Sequence, residues 1–451
     1  MSLKHSEPPS TNQRRWRLFW FTATGLVLAI GLYCLTGPCA YWWGMRCVKQ
    51  QQLIAGRNWL QRAEELGCNS GDFWLDRASL ARRLSHPEEF VRALENAAGQ
   101  SNRQRIDLEL MLADAQRGDL TRLDKQLADV LLKGGPGDEI CNAYVEGCLI
   151  KYRLDDAMAV LAVWEQDYPL DPRVNLLRGR ILEHRVNVPG AQGEYLAALK
   201  KQPHFAVAAY NVARTYVTDQ KPEAALPYYQ ICARSLGNPV PGLVGQAQCE
   251  RLLRSYAAAE EHLQQAKSAV SASTDDAYRL VGEPAETAAS LLSAEQGRLA
   301  AEQGQHEEAV DYFQAALLRA PRDWKLRYQL ALSQRQTGDL REAEQNLKQV
   351  EDTKQALARC DRLFDVLHHD PANIEARLTI GEVFLSYVSE NQGLVWLNSV
   401  LDLDPGNLAA HRLLAEYFES HTDDRSDFAE LAQRHRRWLD SAASDGKASQ
   451  P

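Results

Sequence analysis

The chain of 451 residues is long enough for two to four domains or for one long repeat array. Hydrophobic residues make up 45 % and charged residues 25 %, while 27 glycines, 18 prolines and nine cysteines exclude a collagen-like, low-complexity or disulfide-scaffold protein. The first 57 residues carry a net charge of +6 and the remainder −15, which argues against nucleic acid as a partner because an acidic body repels phosphates.

One long apolar segment stands near the N-terminus. Residues 18–35 contain no charged side chain, and at 1.5 Å per residue they form about 27 Å of helix, which just spans a bilayer. Aromatic rings that favour the headgroup level flank the segment, namely Trp16, Trp20, Tyr41, Trp42 and Trp43. The pattern predicts a basic tail over residues 1–17 and a transmembrane helix with interfacial aromatics over residues 18–43.

The charges around this segment predict its orientation. Three arginines precede it, whereas two basic residues, Arg46 and Lys49, follow it closely. By the positive-inside rule, the N-terminus is expected in the cytoplasm and the body outside it, in the periplasm if the protein is bacterial. An uncleaved signal-anchor is favoured over a cleaved signal peptide because the one small-residue site, residues 38–40, begins with proline. Cleavage stays open as the alternative.

Alanines recur at a fixed step along the rest of the chain. They stand 34 residues apart at Ala157, Ala191, Ala225 and Ala259, and again at Ala309 and Ala343. Large apolar side chains follow each alanine by four residues: Leu161, Tyr195, Tyr229, Leu263, Phe313 and Leu347. A second amphipathic stripe precedes each alanine, and glycine or proline separates the stripes. Each period is therefore predicted to be a helix, a turn and a helix, and such units must stack to bury their apolar faces.

The register of small and aromatic residues resembles the tetratricopeptide repeat (TPR) family. The best match starts at Ala206, with Ala213, Tyr216, Ala225 and Tyr229 in the family's small and aromatic positions. The resemblance implies an all-α fold, a TPR-type α-solenoid of helix-turn-helix units preceded by a single N-terminal transmembrane helix. Four regular units are expected over 138–270, two over 290–357, and degenerate or C-terminal TPR-like units over 50–137 and 358–440.

Two segments interrupt the repeat, and the last residues fall outside it. Residues 271–289 insert about half a unit rich in turn formers, so a surface excursion is expected there. Between residues 350 and 366 the pattern is helical, so either a second helix runs on or the array kinks. Residues 441–451 are expected to be a disordered tail.

The chain has no recognisable catalytic motif, and no cofactor is expected. Phosphate-binding loops, zinc motifs and the hydrolase elbow all lack their minimal residues. The sequence His368, His369 and Asp370 is a conceivable metal corner, but adjacent helical side chains point apart and histidine suits a helix C-terminus, so no metal is expected either. Cys39 and Cys47 could form a disulfide or stay free.

The resemblance implies a concave groove lined by the first helices of the units, in which the family binds peptides or helices. Its groove positions correspond to Arg180, Tyr210, Asn211, Arg214 and Arg298. Arginine binds carboxylates bidentately and asparagine pairs with peptide backbone, so acidic or C-terminal segments are plausible ligands. The same residues also fit a solvated face on which arginines pair with neighbouring glutamates.

These patterns together predict a membrane-anchored TPR scaffold that binds protein partners through its groove and catalyses nothing. A cell-envelope assembly or secretion-complex factor is one alternative. An enzyme with an unrecognised site, in the 271–289 insertion for instance, is another.

Overall fold

The computed structural model describes residues 36–101, 103–120, 123–283, 290–422 and 427–448. Over these residues the protein is an all-α helical solenoid of 23 helices without a strand. The chain divides into two compact units, residues 1–110 and 111–451. The predicted all-α solenoid is confirmed.

The first unit contains two antiparallel helix pairs. Its helices are α1 (Gly37–Lys49), α2 (Leu53–Glu65), α3 (Gly71–Arg83) and α4 (Pro87–Ala97). Helix α1 packs along α2, and α3 packs along α4. The next helix, α5 (Arg103–Gln116), crosses the division between the two units.

The second unit continues the alternation of first and second helices. Its helices are α6 (Asp124–Leu132), α7 (Gly137–Ile150), α8 (Leu154–Asp167), α9 (Pro172–His184), α10 (Val188–Lys201), α11 (Ala206–Thr218), α12 (Pro222–Ser235), α13 (Val240–Leu252), α14 (Tyr256–Ala269), α15 (Thr274–Val281), α16 (Leu291–Glu302), α17 (His306–Arg319), α18 (Trp324–Thr337), α19 (Leu340–His369), α20 (Ile374–Tyr387), α21 (Glu390–Leu403), α22 (Leu408–Ser420) and α23 (Phe428–Ala448). Each first helix packs along the second helix that follows it directly in sequence. The first helices are α7, α9, α11, α13, α16, α18, α20 and α22.

Polar caps start the first helices where proline has ended the preceding helix. The Asn373 side chain accepts a hydrogen bond from the Ala376 amide, two residues after Pro371. Asn407 does the same for Ala410 after Pro405. Such a cap satisfies an amide that the first turn would otherwise leave unpaired. The proline and the cap together fix where one unit ends and the next begins.

In most units the turn between the two helices has one residue in the left-handed conformation, whereas Val388 and Ser389 between α20 and α21 have φ −121° and −157°. The left-handed residues have φ between 55° and 91° and are Gln51, Ser85, Gly118, Tyr152, Val186, Gln220, Arg254, Gly304 and Gly338. Glycine adopts this conformation without penalty, whereas a β-branched residue such as Val186, at φ 58°, is strained there. The tight turn is thus imposed by packing of the two helices even where the sequence opposes it.

In several units, a glycine of the first helix meets a large residue of its own second helix sixteen positions later. A Cβ added to Gly179 would lie 2.3 Å from Cε1 of Tyr195. The equivalent distance is 2.7 Å from Gly297 to Cε1 of Phe313. Since Tyr195 and Phe313 are almost completely buried, neither ring can move aside. The aromatic column of the sequence, which includes Tyr195 and Phe313, therefore marks the crossing point of the two helices in these units.

The second interruption of the repeat is one continuous helix. Helix α19 runs over 30 residues from Leu340 to His369, which decides between the two interpretations left open by the sequence. Its buried side chains include Ala343, Val350 and Cys360. The second helix of this unit thus runs on instead of kinking the array.

The second unit curves far enough to bring distant repeats into contact. The turn between α7 and α8 meets helices α19 to α21, where the ring of Tyr152 lies 5.2 Å from that of Trp396. The Arg377 guanidinium donates to the Lys151 carbonyl at 3.2 Å, and Lys151 forms an ion pair with Asp402. This closure is the exception to a contact pattern otherwise dominated by neighbouring helices.

The predicted membrane topology is corrected by the structure. No helix in the described part of the chain is long and apolar enough to cross a bilayer, which contradicts the single-pass assignment and the extracytoplasmic placement of the body. Residues 18–35 lie outside the described residues. Residues 37–43, expected as the end of the membrane segment, instead begin α1, where Pro38 occupies the first turn.

Packing explains why the aromatic flank misled the sequence prediction. The Tyr41 ring meets Phe73 edge-on at 5.5 Å and its hydroxyl donates to Asp76. Cys39 and Ala40 are buried in the same unit. A run of aromatic and small residues suits a helix crossing as well as a headgroup layer, so local hydropathy could not separate the two.

The last described helix reaches into the predicted tail, since α23 runs from Phe428 to Ala448. Its buried contact with α22 centres on two histidines: Nδ1 of His411 lies 2.8 Å from Nδ1 of His435, and Nε2 of His411 lies 2.9 Å from the Pro405 carbonyl. Because a carbonyl only accepts, His411 donates from Nε2 and the proton between the rings belongs to His435.

Gly179→Ala should destabilise the protein although alanine is the better helix former. The new Cβ overlaps the fixed ring of Tyr195, and overpacking of this kind costs roughly 1–3 kcal/mol. Gly193→Ala in α10 is the matched control: no atom lies within 4 Å of the added Cβ, and a gain of about 0.5–1 kcal/mol is expected. Urea denaturation followed by circular dichroism should shift the two midpoints in opposite directions. Equal shifts would show that the crossing is not tight.

The contact of α22 with α23 should weaken in acid. Burial, with the neighbouring His411, lowers the pKa of His435 to about 4. The unfolded state therefore takes up the proton first as the pH falls below about 6.5, and stability should decline by up to about 1.4 kcal/mol per pH unit toward pH 4. Thermal melting between pH 7.5 and 4.5 measures this, and His435→Gln should flatten the dependence. An unchanged slope in that variant would rule out His435 as the titrating group.

Candidate protein-interaction site

The described part of the insertion, residues 271–283, folds onto the first helices. Residues Thr274–Val281 form α15, which contacts α11 and α13. The surface excursion expected from the turn-forming composition is therefore wrong over these residues. We call the face of α9, α11 and α13 that α15 covers the inner face.

Helix α15 presents its apolar side to the inner face. Ala277, Tyr278 and Val281 are at most 2 % exposed, whereas Asp275 on the other side is exposed. The spacing i, i+1, i+4 places the three apolar side chains on one side of a helix. Burial of this side accounts for the order of an eight-residue helix that would be marginal alone.

The C-terminal end of α15 is capped by a glycine, and side chains of α9 and α11 contact its last carbonyl groups. Gly282 adopts φ 93°, and the Glu283 amide donates back to the Tyr278 carbonyl at 3.0 Å. The last carbonyls of a helix lack partners within it. Here Arg180 donates to the Leu280 carbonyl at 3.0 Å, and the Asn211 amide nitrogen lies 3.5 Å from the Val281 carbonyl.

An acidic side chain follows the glycine and also binds the inner face. The Tyr210 hydroxyl donates to Oε1 of Glu283 at 2.9 Å. Burial, reinforced by this carboxylate, raises the pKa of Tyr210 well above its usual value, so the hydroxyl keeps its proton. The phenol is thus a fixed donor for an acidic group.

Arg214 lies next to Asn211 and holds the Asn211 side chain in position. Its guanidinium pairs with Glu183 at 2.6 Å and donates to the Asn211 side-chain oxygen at 3.1 Å, which orients the Asn211 amide nitrogen toward α15. Burial lowers the pKa of Arg214, but Glu183 outweighs burial and the pKa is raised. This ion pair with Glu183 is also what the alternative interpretation predicts, in which the arginines of a solvated face pair with neighbouring glutamates.

Hydroxyl groups hold the N-terminal end of α15. The Asn238 amide nitrogen lies 3.1 Å from the hydroxyls of Ser271 and Ser273 and 3.2 Å from that of Thr274. Asn238 itself is 2 % exposed and caps α13 through the Val240 amide at 3.0 Å. Both ends of α15 are therefore bound by polar groups of the solenoid.

The first helices beyond α15 border a cavity of about 700 Å³. Arg251, Arg298 and Arg335 lie on its wall beside Glu302 and His306. Arg298 donates to the Gln329 oxygen at 3.1 Å and pairs with Glu295 at 3.0 Å. This stretch of the first helices is cationic and open, in contrast to the part covered by α15.

The structure brings four of the five predicted groove residues together. Arg180, Tyr210, Asn211 and Arg214 surround the end of α15, whereas Arg298 lies on α16 at the open cavity. Their occupant, α15, was not expected from the sequence, although the apolar spacing of Tyr278 and Val281 before Gly282 is a signal for a helix with a C-terminal cap.

The described residues give no positive sign of a metal or disulfide site. Among them, no three His, Cys, Asp or Glu side chains are grouped to hold a metal ion. No disulfide joins any two of the eight cysteines in the described ranges, which include Cys39 and Cys47. Burial raises the pKa of Cys232 and Cys249, so these thiols stay protonated.

Comparison with known proteins supports a TPR fold. The tetratricopeptide repeat family matches residues 294–358. No curated protein sequence matches the chain significantly. The findings support a TPR protein and are consistent with a protein-interaction scaffold.

Solved structures with related helical architecture are distant in sequence. The Cut9–Hcn1 hetero-tetramer of APC/C is 14 % identical, with 88 % of this chain and 76 % of that chain covered and a TM-score of 0.37. The human IFIT1 dimer with m7Gppp-AAAA is 13 % identical, with 83 % of this chain and 90 % of that chain covered and a TM-score of 0.41. Pseudomonas aeruginosa PilF is 16 % identical, with 55 % of this chain and 97 % of that chain covered and a TM-score of 0.31. These similarities concern the fold alone.

Arg180→Ala should loosen α15 without disturbing the rest of the second unit. Loss of a charge-assisted hydrogen bond to the Leu280 carbonyl should raise the open fraction of α15 roughly three- to tenfold. Tryptic cleavage after Arg279, measured by mass spectrometry, reports that fraction. Arg178→Ala is the matched control, since Arg178 lies on the same helix but pairs with Glu165 and Glu194. Equal cleavage of both variants would contradict the assignment.

Proposed function

We propose that this protein is a non-catalytic scaffold that binds protein partners through the first helices of its second unit. TPR repeat proteins are generally non-catalytic scaffolds that bind proteins or peptides. The proposal rests on two adjoining parts of the first helices. One part already binds a helix of the same chain, α15. The other part borders an open cavity lined by arginines.

The chemistry of the face favours partners with an acidic segment. Arg251, Arg298 and Arg335 border the cavity, and Arg180 with Tyr210 binds a helix end followed by a carboxylate. Guanidinium groups bind carboxylates bidentately and match the negative end of a helix dipole. Acidic or C-terminal helical segments are therefore the proposed ligands of Arg180, Tyr210, Asn211, Arg214 and Arg298.

Two of the arginines on the cavity wall are held by ion pairs between the first helices and within them. Arg251 pairs with Glu295 at 2.5 Å and with Glu302, and Arg298 shares the Glu295 carboxylate. Paired groups of this kind order the first helices against each other. Their function in the proposal is to keep a rigid, positively lined surface available to a partner.

Site-specific photocrosslinking tests the proposed surface. A photoreactive amino acid at Leu332, which is 40 % exposed and lines the cavity, should crosslink partner polypeptides in cells. The same amino acid at Leu318, which is 85 % exposed on second helix α17, is the matched control and should give few products. Crosslinked peptides identified by mass spectrometry should be rich in Asp and Glu. Equal yields at both positions, or products confined to Leu318, would refute the proposed surface.

A further inference from the structure

We propose that the inner face is the receptor for a short partner helix of defined chemistry, and that α15 is a copy of that helix held within the same chain. The proposal rests on the scaffold function above and specifies its ligand. The occupant would carry a small residue, an aromatic residue and a β-branched residue at the spacing of Ala277, Tyr278 and Val281, then glycine and an acid.

The contacts of α15 are those of a ligand and not of a repeat helix. Repeat helices pack in pairs along their length with neighbours in sequence, whereas α15 lies across α11 and α13 without a paired partner among the described residues. Side chains of the solenoid bind both of its ends: Arg180 and Asn211 contact backbone carbonyls at the C-terminal end, and Asn238 contacts the Thr274 hydroxyl at the N-terminal end. Arginine and asparagine can donate hydrogen bonds to backbone carbonyls of any helix, whether it belongs to this chain or to a partner.

The charges also fix the direction of the bound helix. The C-terminal end of a helix carries a partial negative charge, which the guanidinium of Arg180 offsets. Glu283 adds a full negative charge, held by Tyr210 and close enough to Arg214 to raise the pKa of that guanidinium. A partner helix would therefore bind with its C-terminal end toward α9 and α11. A helix in the reverse direction would place unpaired amides against Arg180.

The charges determine the direction of the bound helix, and burial of its apolar side chains supplies most of the binding free energy. Ala277, Tyr278 and Val281 are almost completely buried against helices whose own side chains, such as Tyr210, are also buried. The ring of Tyr210 in turn meets Tyr229 edge-on at 5.5 Å, so the floor of the site is fixed. A preformed floor favours one side-chain set over others, since a rigid pocket cannot adapt to a different volume.

A partner helix must compete with α15. A segment in the same chain binds at an effective concentration in the millimolar range, so a free helix of equal intrinsic affinity is strongly disfavoured. The wild-type protein should consequently bind external helices weakly, and loss of α15 from the face should expose the full affinity.

A fluorescent synthetic peptide with the sequence of residues 271–283 tests this competition by anisotropy. The full chain with Tyr278→Asp, which places a charge in the apolar contact, should bind the peptide at least tenfold more tightly than wild type. Asp275→Ala is the matched control, because Asp275 lies on the exposed side of α15, and should behave as wild type. Adding Arg180→Ala to Tyr278→Asp should weaken binding again.

The outcomes separate the inference from the proposed function. Equal affinity for wild type and Tyr278→Asp, or no binding to either, would overturn the inference, while crosslinking at Leu332 would still decide the scaffold function independently. If Tyr278→Asp failed to fold, wild type supplies the second test: a large excess of peptide should raise tryptic cleavage after Arg279. Unchanged cleavage would overturn the proposal, as would a dimer in light scattering that exchanges α15 between copies.

Discussion

The close crossing of two helices at a small side chain is the constraint on which the second unit depends. Where Gly179 faces Tyr195 and Gly297 faces Phe313, a single added carbon would overlap a buried ring. This contact sets the separation and angle of the pair, the pair sets the tight turn, and the turn is maintained even at the strained Val186. Because each first helix is held by its own second helix, neighbouring first helices can lie side by side. Helix α15 binds the inner face, and the cavity opens on the first helices beyond it.

Periodic features of the structure were accessible from the sequence, and singular ones were not. A column repeated every 34 residues averages out local exceptions, so the helix pairs and the all-α solenoid follow from alanines and aromatics alone. The turns with Gln220 or Arg254 in the left-handed conformation carry no glycine signal, because packing overrides local preference there. The closure of Tyr152 on Trp396 joins residues 244 positions apart and depends on the summed curvature of many units, which no local pattern contains.

The candidate site shows the same division. Family resemblance placed Arg180, Tyr210, Asn211 and Arg214 on one face, and they do lie together around one helix end. What the sequence could not supply was their occupant, since turn-forming residues dominate 271–289 and hid an eight-residue helix. The membrane prediction failed for a related reason: Tyr41 and its aromatic neighbours were read by hydropathy, while in the structure Tyr41 packs on Phe73. In both segments the three-dimensional partner, and not the local composition, decides the conformation.

The central claim is that the inner face binds a helix through Arg180, Asn211 and Tyr210, with α15 as its resident example. Hydrogen exchange of the amides of residues 278–283 in the full-length protein measures this most directly, because a docked and capped helix exchanges slowly and a free eight-residue segment does not. The account predicts protection comparable to that of α11 and α13. Exchange as fast as in an unfolded peptide, with α11 and α13 still protected, would contradict it.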